Sequence, residues 1–183
     1  MASSLMELQV RERGTKKLKP VRIMVPINLR KMIGSRTLRN FSLYSLPTME
    51  SKHRHLSLTE LCKIFETQLK AQLSDKNQSS MVSYNVRTQN SWYFRMLPWK
   101  LKAAAMRLGY RFFGESNSSL TLTNLGRVSL PEEMLPYVSD FRCFMTPRVS
   151  SPYGCTVLSF GDKLALNMCR FCPEDQLGQI FFR

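Results

Sequence analysis

The sequence predicts an α/β (α+β) protein in which a mixed β-sheet of about five strands is flanked by helices. Three observations carry that reading. Residues 20–30, PVRIMVPINLR, alternate Val21, Ile23 and Val25 with Arg22 and Met24, as a strand buried on one face does, and then run into a polar, arginine-bearing segment. Residues 57–74 repeat Leu58, Leu61, Cys62, Phe65, Leu69 and Leu73 at helical spacing, behind a capping box formed by Ser57 and Glu60. Residues 155–160 and 163–169 flank Gly161-Asp162, a two-residue turn that suits a hairpin. Strands and helices in mixed order are the mark of a sheet layered with helices.

The remaining elements follow along the chain. Residues 4–13, SLMELQVRER, read as the last turns of an amphipathic helix with Leu5, Met6 and Leu8 on its apolar side and Gly14 as its C-cap. A domain that opens on a helix end implies something upstream, so residues 1–19 are assigned to such a helix and a basic linker, and residues 20–183 to one subdomain. Lys16, Lys17 and Lys19 read as a solvated loop, with phosphate contact as the sharper alternative. Pro26 is expected to end regular pairing, because it has no N–H to donate. Asn28, Arg30, Arg36, Arg39 and Asn40 follow in a polar loop, and Phe41, Leu43 and Leu46 begin an extended segment closed by Pro47. The stripe of the helix at 57–74 is read as core. Residues 75–91 read as a loop with a short helix around Met81–Val86.

Residues 91–113 are helical, and Pro98 either kinks that helix or starts a new one, with Gly114 at its end. Lys100, Lys102, Arg107 and Arg111 line its polar side. Packing inside the protein is preferred to a membrane surface, because Ala105 and Gly109 suit close helix contact. Residues 119–123 alternate as a strand, and Asn124-Leu125-Gly126 marks a tight departure from its end. Residues 129–139 form a short turn or helix near Pro131. Phe141, Cys143 and Met145 read as one face of a further strand. Pro173-Glu174-Asp175 opens a final helix with proline at its first position, docked through Leu177, Ile180 and Phe181.

Composition narrows the function classes. At 183 residues and 43% hydrophobic content the chain can bury a substantial core. A net charge of +14 favours an anionic partner, although a generally basic soluble surface explains it as well. The cations do not gather with aromatics at one place, so no specific nucleic acid is expected. Five cysteines are an odd number; Cys169 and Cys172 have two residues between them but no second pair to complete a metal site. They read as structural thiols in a reducing, cytoplasmic compartment. His53 and His55 form His-x-His in a polar loop with no third ligand in view, so no metal is expected. No apolar run approaches the ~20 residues that span a bilayer, and residues 1–19 lack the apolar centre of a signal peptide. A nucleophile elbow, a glycine-rich phosphate loop and a zinc-protease helix motif are all missing.

Several blocks in one order resemble a known family. PVRIMVPINLR (20–30), TLRNFSLY (37–44), NVR (85–87), MLPWKLKAAAMRLGYRFFGE (96–115), LTLTNLGRVSLPEEMLPYV (120–138) and SPYGCTVLSFGDKLALN (151–167) look like the carboxy-terminal half of condensation-type acyltransferases. These share the chloramphenicol-acetyltransferase-like fold, and the alcohol acetyltransferase-like proteins are the nearest in pattern. The resemblance implies one half of a CoA-dependent acyltransferase, with acyl-CoA or an acyl carrier as donor and no covalently bound cofactor. The family's catalytic His-His-x-x-x-Asp-Gly belongs to the other half, and His53-Arg54-His55 does not match it. It implies that Arg30 holds the aspartate of that missing motif, that Thr123 or Asn124 donates a hydrogen bond to the developing oxyanion, and that Gly126 permits the backbone bend. Turn stabilisation by Asn124 and a plain surface role for Arg30 remain as the simpler readings. The half alone is expected to lack catalysis and, with its apolar face uncovered, to self-associate. The alternative is a non-enzymatic basic binding or scaffold module for anionic partners.

Overall fold

The computed structural model describes residues 1–15, 18–30, 34–38, 41–109, 118–148, 151–173 and 175–183. Lys16, Lys17, Arg39, Asn40, Arg111, Gly114 and Glu174, which the sequence reading uses, lie outside the described residues. Strand β1 (Val21–Asn28) sits near the middle of a mixed sheet. On one side it pairs antiparallel with β2 (Ser42–Ser45) and β3 (Thr48–Met49). On the other it runs parallel to β4 (Leu120–Arg127), which is parallel to β5 (Tyr153–Phe160). The antiparallel strand β6 (Lys163–Arg170) completes the order β2-β1-β4-β5-β6, so the α/β class and mixed sheet expected from the sequence are present.

The core lies where β1 and β4 meet the first and last helices. Helix α1 (Ala2–Arg13) buries Leu5, Met6 and Leu8 against Val21, Ile23, Met49 and Leu120. Gly14 caps it at φ 68°, a conformation that favours glycine. The closing helix α6 (Gln176–Phe181) adds fully buried Leu177 to the same cluster. It starts after Asp175, not at Pro173, and Asp175 is ion-paired to Arg170 at 2.5 Å. All five cysteines are free thiols, and burial pushes the Cys155 thiol up from its ordinary range.

Two prolines behave differently from expectation. Pro26 does not end β1, lying opposite Tyr44 within the region paired to β2, although the parallel pairing with β4 stops before it at Met24↔Thr121. The N–H of Ile23 donates to the Pro47 carbonyl at 3.0 Å and that of Leu29 to the Phe41 carbonyl at 3.1 Å. Odd-numbered residues of β1 therefore exchange the ladder bonds on this side, and Pro26 falls at a position that donates none. Pro47 likewise interrupts the extended segment without closing it. The register Val25↔Ser45 continues as Val21↔Met49, so β2 and β3 are one edge strand with a break at 46–47.

Helix α2 (Leu58–Leu73) carries the capping box read from the sequence: the Glu60 N–H donates to Ser57 Oγ at 3.3 Å, and the Ser57 N–H to the Glu60 carboxylate at 2.8 Å. The Ser57 hydroxyl and N–H hold the Glu60 carboxyl below its usual range. A carboxyl depressed by folding stabilises above its unfolded pKa, and that stabilisation is lost as pH falls through the folded value. Glu60→Gln should therefore narrow the difference in urea midpoint between neutral and acidic solution, a change that paired denaturation curves would read.

The apolar stripe of α2 is less core than its period suggests. Leu61 is buried, whereas Leu58, Cys62 and Leu73 are exposed. The helix instead applies glutamines to the sheet edge. Gln68 accepts from the Thr48 N–H at 2.6 Å and donates to the Thr48 carbonyl at 3.0 Å, and Gln72 accepts from the Leu46 N–H at 2.8 Å. Four residues apart on one helix face, they satisfy the groups that the edge strand turns away from β1.

The helix expected around Met81–Val86 is present but is not set in a loop: Asp75–Asn90 is a continuous helix, α3. Two helices follow, α4 (Trp92–Met96) and α5 (Trp99–Gly109), parted at Leu97-Pro98, so Pro98 starts a new helix. The expectation of internal packing fails here: α5 has no buried residue, and Trp92, Met96, Leu101, Met106 and Leu108 are exposed, with Trp99 at 78%. The strand expected at Phe141, Cys143 and Met145 is also missing. Strand β5 already has β4 and β6 at its two edges, so the segment lies across it, with the Thr156 hydroxyl donating to the Cys143 carbonyl and the rings of Phe141 and Phe160 6.1 Å apart.

Candidate functional site

In a sheet of this kind ligands bind beyond the carboxyl ends of the parallel strands. Strands β1, β4 and β5 are mutually parallel, and the register Met24↔Thr121 ↔Gly154 sets their carboxyl ends at one edge of the sheet. The candidates Arg30, Thr123, Asn124 and Gly126 all lie toward that end. Arg30 follows β1 directly. It is half-buried, and its Nε donates to the Thr37 carbonyl at 2.8 Å while Nη1 and its own N–H reach Asn28 Oδ1 at 3.3 and 3.1 Å. The loop after β1 thus fixes the guanidinium by hydrogen bonds within a few residues.

Strand β4 does not end at Asn124, as the sequence suggests; it runs to Arg127 with a β-bulge. Asn124 faces Val157 and Gly126 faces Leu158, leaving Leu125 as the extra residue. Gly126 has φ 72°, so any side chain there would strain the backbone. The Gly126 N–H donates to Asn124 Oδ1 at 2.9 Å. That bond uses the acceptor of the Asn124 amide and leaves its NH₂ as an exposed donor pair at the carboxyl end of the central strand. Thr123 is half-buried between Thr156 on β5 and Met145, and its hydroxyl contacts Met145 Sδ at 3.6 Å.

The histidines lie elsewhere. His53 and His55 belong to a 3-10 helix, Ser51–His55, not a loop. It follows β3, whose Met49 pairs with Val21 at the start of β1, so both imidazoles are at the opposite end of the sheet from Asn124. His53 Nδ1 accepts from the Glu50 N–H at 3.3 Å, and His55 Nε2 from Arg54 at 2.6 Å. Among the described residues no three His, Cys, Asp or Glu side chains gather as a metal would need.

Sequence reasoning missed a groove of about 540 Å³ at the amino ends of β1, β4 and β5. Arg13, Lys19 and Arg22 line it together with Glu12, Ser118 and Tyr153. Its cations are spread over the first 22 residues, and their gathering depends on α1 folding back over the strand starts. Among the described residues no helix is long and apolar enough to cross a membrane. No protein-family model matches this sequence, and no curated protein matches it either.

Proposed function

We propose that this chain is the carboxy-terminal half of a CoA-dependent or carrier-dependent O- or N-acyltransferase of the condensation-like superfamily, acting in the cytoplasm. The observation that carries the reading is the bulge at Asn124, which places an exposed NH₂ donor at the carboxyl end of the central parallel strand. In the intact protein a histidine of the other half takes the proton of an acceptor alcohol or amine. The acceptor attacks the thioester carbonyl, and an oxyanion forms. Asn124 donates to that oxygen, a role typically worth ~3 kcal/mol in the barrier; Thr123 is the alternative donor, on the opposite face of β4. Collapse of the intermediate expels the CoA or carrier thiolate, which takes up a proton. Arg30 pairs with the aspartate of the missing motif, a match that suits its planar fork. The exposed apolar side chains of α4 and α5 support a chain that normally has another body against it.

The test is reconstitution. An amino-terminal half bearing His-His-x-x-x-Asp-Gly, mixed with this chain, should release CoA thiol from acetyl-CoA in the presence of an alcohol, whereas neither half alone should. Asn124→Ala in the pair should lower kcat by about 10²-fold. Thiol release by this chain alone, or none from a pair that co-purifies, would overturn the reading. A second reading, a basic module for anionic partners, is favoured by Arg13, Lys19 and Arg22 in one groove. It requires binding to heparin that weakens steeply with salt and is lost when Arg13 and Lys19 become glutamine.

A further inference from the structure

The two edges of the sheet are finished differently. At the β2–β3 edge, the outward groups of Leu46 and Thr48 are met by Gln72 and Gln68, and Pro47 breaks the strand. Strand β6 has none of this. It pairs with β5 without a bulge over its eight residues, from Phe160↔Lys163 to Tyr153↔Arg170, and contains no proline. The Phe171 N–H donates to the Pro152 carbonyl at 2.8 Å, one step beyond that register. The odd-numbered residues of β6 therefore bond to β5, and Leu164, Leu166 and Met168 turn their N–H and C=O groups outward. Among the described residues nothing meets those groups. Leu164 is 70% exposed beside them. An unbroken open edge of this length is a template for another strand.

We propose that this edge is a self-pairing interface, in which β6 of two copies pair antiparallel about a two-fold axis through Leu166. The strand carries its own complement in that register. Leu166 faces Leu166 of the second copy, and Leu164 faces Met168, so every outward backbone group on these residues finds a partner. The same pairs set Leu164, Leu166 and Met168 into one apolar ladder across the axis, covering Leu164. Arg170, which is ion-paired to Asp175 of its own chain, comes opposite Asp162 of the second copy and Lys163 opposite Cys169, so no like charges meet in this register. A register one step away, centred between Leu166 and Asn167, sets Lys163 against Arg170 and leaves the outward groups out of phase. The net charge of +14 on each chain opposes approach, so the pairing tightens as salt screens it. The proposal is independent of the acyltransferase reading, and its failure leaves that reading intact.

Sedimentation equilibrium on the 183-residue chain tests it. A dimer is expected whose dissociation constant falls between about 0.05 and 0.3 M salt, over which the Debye length shrinks about twofold. Leu164→Lys adds a like charge on an exposed site and should raise that constant at least tenfold with an unchanged circular dichroism spectrum. Leu166→Cys should cross-link on mild oxidation beyond the wild-type background, because facing residues of a bonded pair stand about 5.5 Å apart at Cα. Ala165→Cys should not. A monomer throughout, or a dimer indifferent to Leu164→Lys and without the Leu166→Cys cross-link, would overturn the proposal; the latter result would move self-association to the apolar surface of α4 and α5.

Discussion

Leu120→Ala should lower the unfolding free energy by about 2–5 kcal/mol, the largest single-site loss expected in this chain. Leu120 is 0% exposed and belongs to the cluster that joins Val21 and Ile23 of β1 to Leu5, Met6 and Leu8 of α1 and Leu177 of α6. It is also the residue at which the three parallel strands come into register, facing Ile23 on one side and Tyr153 on the other. Truncation removes apolar contacts from both layers, and β4, flanked on both sides, cannot move inward to close the gap. Against a total stability of roughly 5–15 kcal/mol, such a loss moves the urea midpoint far enough to be read without ambiguity. Leu125→Ala is the matched control. Leu125 is half-exposed at the bulge, and its loss should change stability by no more than about 0.5 kcal/mol. Equal effects at the two sites would place the core somewhere other than the β1–β4 seam.

What the sequence discloses here is what local chemistry decides. The Ser57 cap with Glu60 needs only residues three apart, and it forms as expected. The hairpin at Gly161-Asp162 is equally local, with Gly161 at φ 58° in the turn. Helix α3 was legible only around Met81–Val86, because its sequence has no sustained apolar period; Lys76, Asn77 and Ser79 are exposed, and the helix contacts its neighbours in the chain. Pro26 misled only in part: its missing N–H is on the β4 side, where the pairing of β1 stops at Met24↔Thr121, whereas the pairing with β2 needs no donor there and runs on to Asn28. Phe141, Cys143 and Met145 alternate like a strand, yet alternation also suits an extended segment laid across a sheet whose edges are taken. The site was legible as polar residues at strand ends. That Arg30 and Asn124 share one end of the sheet was not, since it depends on a parallel pairing of Ile23 with Leu120 that no local pattern encodes.

Removing both edge glutamines, Gln68→Ala with Gln72→Ala, should cost about 2–3 kcal/mol, more than either alone. Each neutral hydrogen bond is worth roughly 0.5–1.5 kcal/mol net, and a part-buried group left unmet costs more. Three backbone groups are at stake, the N–H and carbonyl of Thr48 and the N–H of Leu46, together with the Ser45 hydroxyl, which donates to Gln72 Oε1 at 2.5 Å. Apolar contact of α2 with the core rests on Leu61, Phe65 and Leu56 before it, and the double variant leaves those in place. The loss should therefore appear first as faster amide exchange at Leu46 and Thr48, and only second as a lower urea midpoint. Unchanged exchange at both amides would mean that α2 is held by Leu61 and Phe65 and that the glutamines are incidental. Faster exchange has a further consequence: with Gln68 and Gln72 gone, the β2–β3 edge becomes open as β6 is. The sheet would then present two templates, and on the proposed pairing through β6 the double variant should form species larger than the dimer expected of the parent. Pro47 would not block that side, because it faces β1, its carbonyl accepting from the Ile23 N–H, and the outward donors are those of Leu46 and Thr48.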